Sequence, residues 1–280
     1  MFEGILLGVI QGLTEFLPVS SSGHLTIFQA LLGMKDPDSN LALSIILHTG
    51  TLLAVMLYFR ADLAPYFSLK GWHPGPQRRI AGLVIAGSIP TALIGLGFKD
   101  FFEKLFASPQ FVCFALLITA ALLFTADRRT AVQTSEISTN QPAGELTMST
   151  LSFTSALIIG IAQGFAITPG ISRSGSTIAV AMLLGVAGPE AAKFSFLLMM
   201  PAVGGATLLE LKKIFKSGIP ADLDLTGAAI GGAFSFMTGL LALGLLMYIL
   251  RQQKLRYFSY YLVVLSLVAF ITLRLTGAAS

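Results

Sequence analysis

Gln11-Gly12-Leu13-Thr14-Glu15-Phe16-Leu17-Pro18-Val19-Ser20-Ser21-Ser22-Gly23-His24 is matched further along the chain by Gln163-Gly164-Phe165-Ala166-Ile167-Thr168-Pro169-Gly170-Ile171-Ser172-Arg173-Ser174-Gly175-Ser176. Gln11, Gly12, Ser20, Ser22 and Gly23 recur as Gln163, Gly164, Ser172, Ser174 and Gly175, all at one offset of 152 residues. Both copies sit in apolar surroundings yet carry polar and ionisable groups. Internal repetition in such a chain marks membrane proteins built from two related halves, with the functional site where interrupted helices from each half meet. Function is therefore sought in these two phrases.

Working outward, the apolar stretches Phe2–Leu17 and Leu151–Thr168 run into Pro18 and Pro169, and short apolar pieces follow at Leu25–Leu32 and Ile178–Val186. Helix, Pro/Ser/Gly break and short helix read as a re-entrant hairpin, because broken backbone at membrane depth is tolerated only inside protein or beside water. Six further stretches are long enough to span a hydrocarbon core of about 30 Å: Leu41–Phe59, Ile80–Phe98, Phe111–Ala126, Lys193–Leu211, Leu225–Leu250 and Phe258–Leu275. With 54% hydrophobic and 11% charged residues, against about 25% charged in soluble domains, the chain is read as an all-α integral membrane protein. The expected architecture is two inverted-topology repeats, with six transmembrane helices plus two re-entrant helical hairpins.

The first repeat is taken as residues 1–127, with its hairpin at 2–33; the second is 151–280, with its hairpin at 151–186; the polar segment 128–150 is taken as a linker. Each half holds a hairpin and three spans. Three is odd, so the second half starts from the opposite face, and the hairpins can meet near the midplane. Loop Lys and Arg divide nine to seven between the two sides, which places the richer side in the cytoplasm and the mouth of the first hairpin outside. Cys113, the one cysteine, has no partner within the chain. The first residues lack a basic n-region and are expected to be retained. No basic stripe interleaved with aromatics is present, so nucleic acid is not an expected partner.

Ionisable groups inside a membrane segment are functional candidates, and Glu15, His24 and Arg173 qualify. Ser172, Arg173, Ser174 and Thr177 open a helix after Pro169-Gly170, so hydroxyls, backbone N–H groups and a guanidinium can converge on a tetrahedral anion. Ser20, Ser21 and Ser22 open the other short helix in the same way. The alternatives are structural: a Glu15–Arg173 ion pair locking the halves, a capping role for His24, and N-capping serines. Gln11 and Glu15 share a helix face and could present two oxygens to a cation, or Glu15 could act as a base or hold His24. Gln163 has Ile167 four residues on, so one half carries acid/base groups and the other binds anions. His48 reads as a packed or helix-bonding histidine, His73 beside Trp72 as an interfacial anchor, and Lys193 as a possible phosphate neighbour.

These two phrases resemble the motifs of the bacterial undecaprenyl-diphosphate phosphatases, also called bacitracin-resistance proteins. Gln11 and Glu15 continuing into Leu17-Pro18-Val19-Ser20-Ser21-Ser22-Gly23-His24 match the family's first motif, with Gln11 at a position that is often Glu. Pro169-Gly170-Ile171-Ser172-Arg173-Ser174-Gly175-Ser176-Thr177 matches its second. The resemblance implies hydrolysis of undecaprenyl diphosphate at the outer face of the plasma membrane, recycling the carrier lipid of cell-wall synthesis. It further implies a divalent cation, Mg or Ca, and a site of Glu15, Ser21, His24, Ser172, Arg173 and Thr177. Ser21 activated by His24 or Glu15 is the favoured nucleophile; attack by His24 or by water stays open. The partners expected are the diphosphate lipid and the bilayer, with a homodimer as an option. A lipid transporter or flippase using the same inverted-repeat site is the alternative function. The other lipid-phosphatase superfamily requires a second His where Ala179 stands and is set aside.

Overall fold

In the computed structural model the described residues are 1–34, 36–67, 75–106, 108–137, 147–218, 220, 223–252 and 254–276. His73, expected as an interfacial anchor, lies outside them. The chain forms α1 (Phe2–Phe16), α2 (Ser21–Leu31), α3 (Pro37–Tyr58), α4 (Arg60–Phe67), α5 (Pro76–Gly97), α6 (Lys99–Phe106), α7 (Pro109–Ile137), α8 (Phe153–Phe165), α9 (Arg173–Leu183), α10 (Gly188–Ser217), α11 (Leu225–Arg251) and α12 (Arg256–Thr276). Six of these, α3, α5, α7, α10, α11 and α12, are long and apolar enough to cross a membrane. They coincide with the six expected spans to within a few residues at most ends.

The differences have local causes. α3 starts early because Asp36 caps it, accepting from the Ser39 N–H at 2.9 Å. α10 begins at Gly188 because Pro189 suits the first turn of a helix and Glu190 complements its dipole. α7 carries on through residues 128–137 of the expected linker, where Arg128, Arg129, Ala131 and Gln133 are good helix formers. Residues 138–146 of that segment lie outside the described set.

Register between helices gives their directions. Gly4 lies on Gly227, Gly8 on Gly231 and Gly12 beside Gly239, with numbers rising together, so α1 and α11 run parallel. Ile46 against Gly232 and Ala54 against Gly239 add α3 to the same set. Gly82 against Phe153, Gly87 against Gly160 and Gly95 against Ile167 make α5 and α8 parallel. Arg79 at the start of α5 donates to the carbonyls of Ser149 and Leu151 just before α8. The Met148 N–H donates to Glu190 at the start of α10, so α5, α8 and α10 begin on one face. Gly188 of α10 packs against Leu250, where α11 ends. The two sets therefore run in opposite directions, and the hairpins α1–α2 and α8–α9 enter from opposite faces.

The halves also interleave. α1 of the first packs on α11 of the second, and α8 of the second packs on α5 of the first, at equivalent glycines: Gly8 and Gly160 differ by the repeat offset. A Cβ on either would strike the carbonyl of its partner, Gly231 or Gly87. Lipid tails are as apolar as Leu, so close backbone approach at small residues supplies the packing that holds such helices together. The result fixes both hairpin tips against each other at the centre.

Candidate active site

The first tip is shaped by Pro18. The residue before a proline is pushed out of the helical region, and Leu17 ends α1 in an extended conformation, φ −63° and ψ 143°. Ser20 then adopts φ 67°, alone among the described non-glycine residues in the left-handed region. Its Oγ accepts from the Gly23 N–H at 3.2 Å and lies 3.3 Å from Ser22 Oγ. The second tip repeats this arrangement: Ser172 Oγ accepts from the Gly175 N–H at 3.0 Å and lies 3.2 Å from Ser174 Oγ, after Gly170 at φ 91°. The N-capping alternative thus holds at Ser20 and Ser172. Gly23 rests on Gly170 and Gly175 on Pro18, one contact made twice by the repeat, so the positive N-terminal ends of α2 and α9 face a common space.

Glu15 sits at the centre, with its side chain only 1% exposed. Its Oε2 accepts from Gln11 Nε2 at 2.8 Å and from Ser21 Oγ at 2.5 Å. Its Oε1 accepts from the Arg173 guanidinium, 158 positions away in sequence. Arg173 and His48 have side chains 23% and 25% exposed, and His48 Nε2 stands 3.6 Å from Glu15 Oε2. Nδ1 of His48 donates to the Ser44 carbonyl at 2.7 Å. His48 is therefore helix-bonded, as expected, and also faces the carboxylate, which its sequence context did not disclose.

The remaining candidates are tied elsewhere. His24 is buried, with Nδ1 2.8 Å from the Ser20 carbonyl and Nε2 2.8 Å from Tyr261 Oη. Ser174 Oγ donates to the Leu17 carbonyl at 3.1 Å, joining the two tips. Thr177 donates to the Arg173 carbonyl at 2.8 Å and lies 2.5 Å from Ser195 Oγ. Thr119 Oγ1 accepts from the Ser172 N–H at 3.0 Å and donates to the Gly170 carbonyl, pinning the second tip. Lys193 stands apart, paired with Asp62 at 3.3 Å and Glu190 at 3.8 Å. The structure thus brings together Gln11, Glu15, Ser21 and Arg173, adds His48, and surrounds them with capped helix starts. The missed residues Tyr261, Thr119 and Ser195 are ordinary constituents of apolar spans and carry no motif of their own.

This arrangement offers a hydroxyl beside a carboxylate acceptor and a guanidinium beside two helix N-termini: a nucleophile with a base, next to an anion-binding cradle. A cation is tested by its donors. Gln11 Oε1 is buried with no partner next to the Glu15 carboxylate, so hard oxygen donors are at hand. Among the described residues no group of three His, Cys, Asp or Glu could hold a metal by itself.

Comparison with known proteins gives concordant results. The family model described as bacitracin resistance protein BacA matches residues 4–268. A protein of Carboxydothermus hydrogenoformans named undecaprenyl-diphosphatase is 40% identical over 277 residues, covering 99% of this chain and 98% of its own. Proteins of the same name from Halothermothrix orenii and Alkaliphilus metalliredigens are each 41% identical, over 93% of this chain and 93% and 94% of their own lengths.

Proposed function

The chain belongs to the bacitracin resistance protein BacA family, and from that premise we propose that it is a membrane phosphatase that hydrolyses undecaprenyl diphosphate to undecaprenyl phosphate and inorganic phosphate. The observation that carries the reading is the meeting of Ser21, Glu15 and Arg173 at the tips of two hairpins from different halves. Diphosphate cleavage needs charge neutralisation on the transferred phosphoryl group, an in-line nucleophile and a proton acceptor, and these three residues are suited to those tasks.

In the free protein Arg173 neutralises Glu15. An arriving terminal phosphate competes for the guanidinium, whose fork suits two phosphoryl oxygens. Drawing Arg173 away leaves the carboxylate without its counter-charge while Ser21 still donates to it. Ser21 Oγ then attacks the terminal phosphorus as its proton passes to Glu15; the new O–P bond forms, the anhydride P–O bond breaks, and undecaprenyl phosphate leaves. Water next attacks the phosphoserine, Glu15 returns the proton to Ser21 Oγ, and inorganic phosphate departs. Gln11 and Glu15 would hold a divalent cation through their oxygen donors. Such an ion would supply further neutralisation of phosphate charge. The nine-to-seven charge bias supports a site opening to the outer face of the plasma membrane, with the isoprenoid chain in lipid along the spans.

Purified protein in detergent, where no second compartment exists, is expected to release inorganic phosphate from the lipid diphosphate, and Arg173→Lys to lose most of that turnover. No phosphate release from the folded wild-type protein, together with lipid movement in vesicles, would establish the transporter reading instead.

A further inference from the structure

His24 belongs to the family motif, yet its ring is fully committed. Nδ1 faces the Ser20 carbonyl at 2.8 Å, and a carbonyl only accepts, so Nδ1 carries a proton. In the neutral ring Nε2 then bears the lone pair, and the group meeting it at 2.8 Å is the Tyr261 hydroxyl of α12, which can donate. The two ring planes lie 5° from parallel with centroids 5.9 Å apart, so the hydroxyl meets Nε2 edge-on, where the lone pair lies. Among the described contacts no carboxylate reaches His24. A buried ring without a counter-ion favours the neutral form.

We propose that Tyr261 is a positioning residue: by donating to Nε2 it holds the His24 ring in place, so that Nδ1–H stays on the Ser20 carbonyl and Ser21 is aimed at Glu15. Three observations join in that chain. Ser20 occupies the strained left-handed conformation that a bond to its carbonyl would help to hold. Ser21 is the next residue, and its Oγ needs to meet Glu15 Oε2 at 2.5 Å. Tyr261 comes from the last span of the second half, and it reaches the tip of the first hairpin at the nitrogen that would otherwise be the histidine's nucleophilic centre. His24 therefore supports Ser21 and does not itself attack phosphorus. The inference rests on the phosphatase reading for its kinetic part only, because the tautomer can be read without turnover.

Two measurements test it. In protein with ¹⁵N-labelled histidine at about pH 8.5, above the ordinary histidine range, the resonances lost in His24→Gln assign His24. They are expected to report Nδ1–H in the wild type, with Nε2 shifted by its hydrogen bond, and in Tyr261→Phe, which keeps the aromatic ring and removes the hydroxyl, Nδ1–H again but Nε2 at the position of an unbonded lone pair. On the same two proteins Tyr261→Phe is expected to lower kcat about tenfold, the scale of one lost neutral hydrogen bond, with KM within about twofold. His24→Gln, whose amide can still donate to the Ser20 carbonyl, should keep measurable turnover, and a trapped phosphoenzyme should be acid-stable phosphoserine. An Nε2–H tautomer in the wild type, an acid-labile phosphohistidine, or an unchanged Nε2 resonance and kcat in Tyr261→Phe would overturn the proposal. Absence of wild-type turnover with the Nδ1–H tautomer present would instead count against the phosphatase reading alone.

Discussion

Replacing Glu15 by Gln separates the charge of the carboxylate from its shape. The amide oxygen can still accept from Gln11 and Ser21, which now donate at 2.8 and 2.5 Å, but it is no base and no counter-ion. Losing a positioned base costs about 10²- to 10⁴-fold in rate, or about 3–5 kcal/mol on the barrier at 1.36 kcal/mol per decade. Stability should suffer less. Breaking a fully buried pair costs about 3–5 kcal/mol, but the Arg173 side chain is 23% exposed and water can solvate it, so about 1–2 kcal/mol is expected. The third consequence has the opposite sign. If Arg173 is held by Glu15 about nine-tenths of the time, only about a tenth of the protein is ready for phosphate, and releasing the guanidinium should tighten phosphate binding about tenfold. Phosphate release kinetics, thermal unfolding in one detergent and titration with inorganic phosphate measure the three quantities on one preparation. A folded Glu15→Gln protein with turnover within about threefold of wild type would refute Glu15 as the base. Phosphate binding no tighter than wild type would refute the exchange of Arg173 between carboxylate and substrate.

Gly8→Ala and Gly160→Ala should each destabilise the protein by about 1–3 kcal/mol, the usual cost of overpacking, because each new methyl meets a backbone carbonyl of the other half; thermal unfolding showing one tolerated and the other severe would contradict the equivalence of the two interfaces. Asp224 caps α11 at the membrane edge, and the Gly227 N–H, aided by the Met1 ammonium, holds its carboxyl below the ordinary range. A depressed carboxyl contributes stability that is present above its unfolded value and lost as pH falls through the folded one. The gap in unfolding temperature between wild type and Asp224→Ala should therefore be constant from neutral pH to about pH 4 and shrink below it; a gap that grows on acidification would reverse the assignment. Ser22→Cys in a Cys113→Ser background should react in intact cells with a membrane-impermeant thiol reagent and be protected by substrate. Reaction only after the cytoplasmic face is opened would invert the proposed orientation.

The 152-residue offset carried more than a family likeness, because the residues it pairs, Gly23 with Gly175 and Ser20 with Ser172, make the same capping and tip-to-tip interactions in space. Gln11, Glu15, Ser21 and Arg173 were legible for the same reason, since polar groups at a helix break inside lipid have few structural uses. His48 obeys that rule too, but bonding to the Ser44 carbonyl in its own helix gave it a sufficient structural explanation. Only the fold shows that its second nitrogen meets Glu15. Tyr261 was hidden differently: Tyr257, Tyr260 and Tyr261 near the start of an apolar span look like an interfacial belt, and nothing local separates the one that reaches His24. Where the repeat broke down was also informative. Gln11 has kept an acid four residues on, whereas Gln163, with Ile167 in that place, donates to Thr91 and the Leu198 carbonyl and helps lock α8 in place. Two similar hairpins thus meet at a near-symmetric centre, and its charges depart from that symmetry: Glu15 from one tip pairs with Arg173 from the other, each at a position where its counterpart, Ile167 or Ser21, is uncharged.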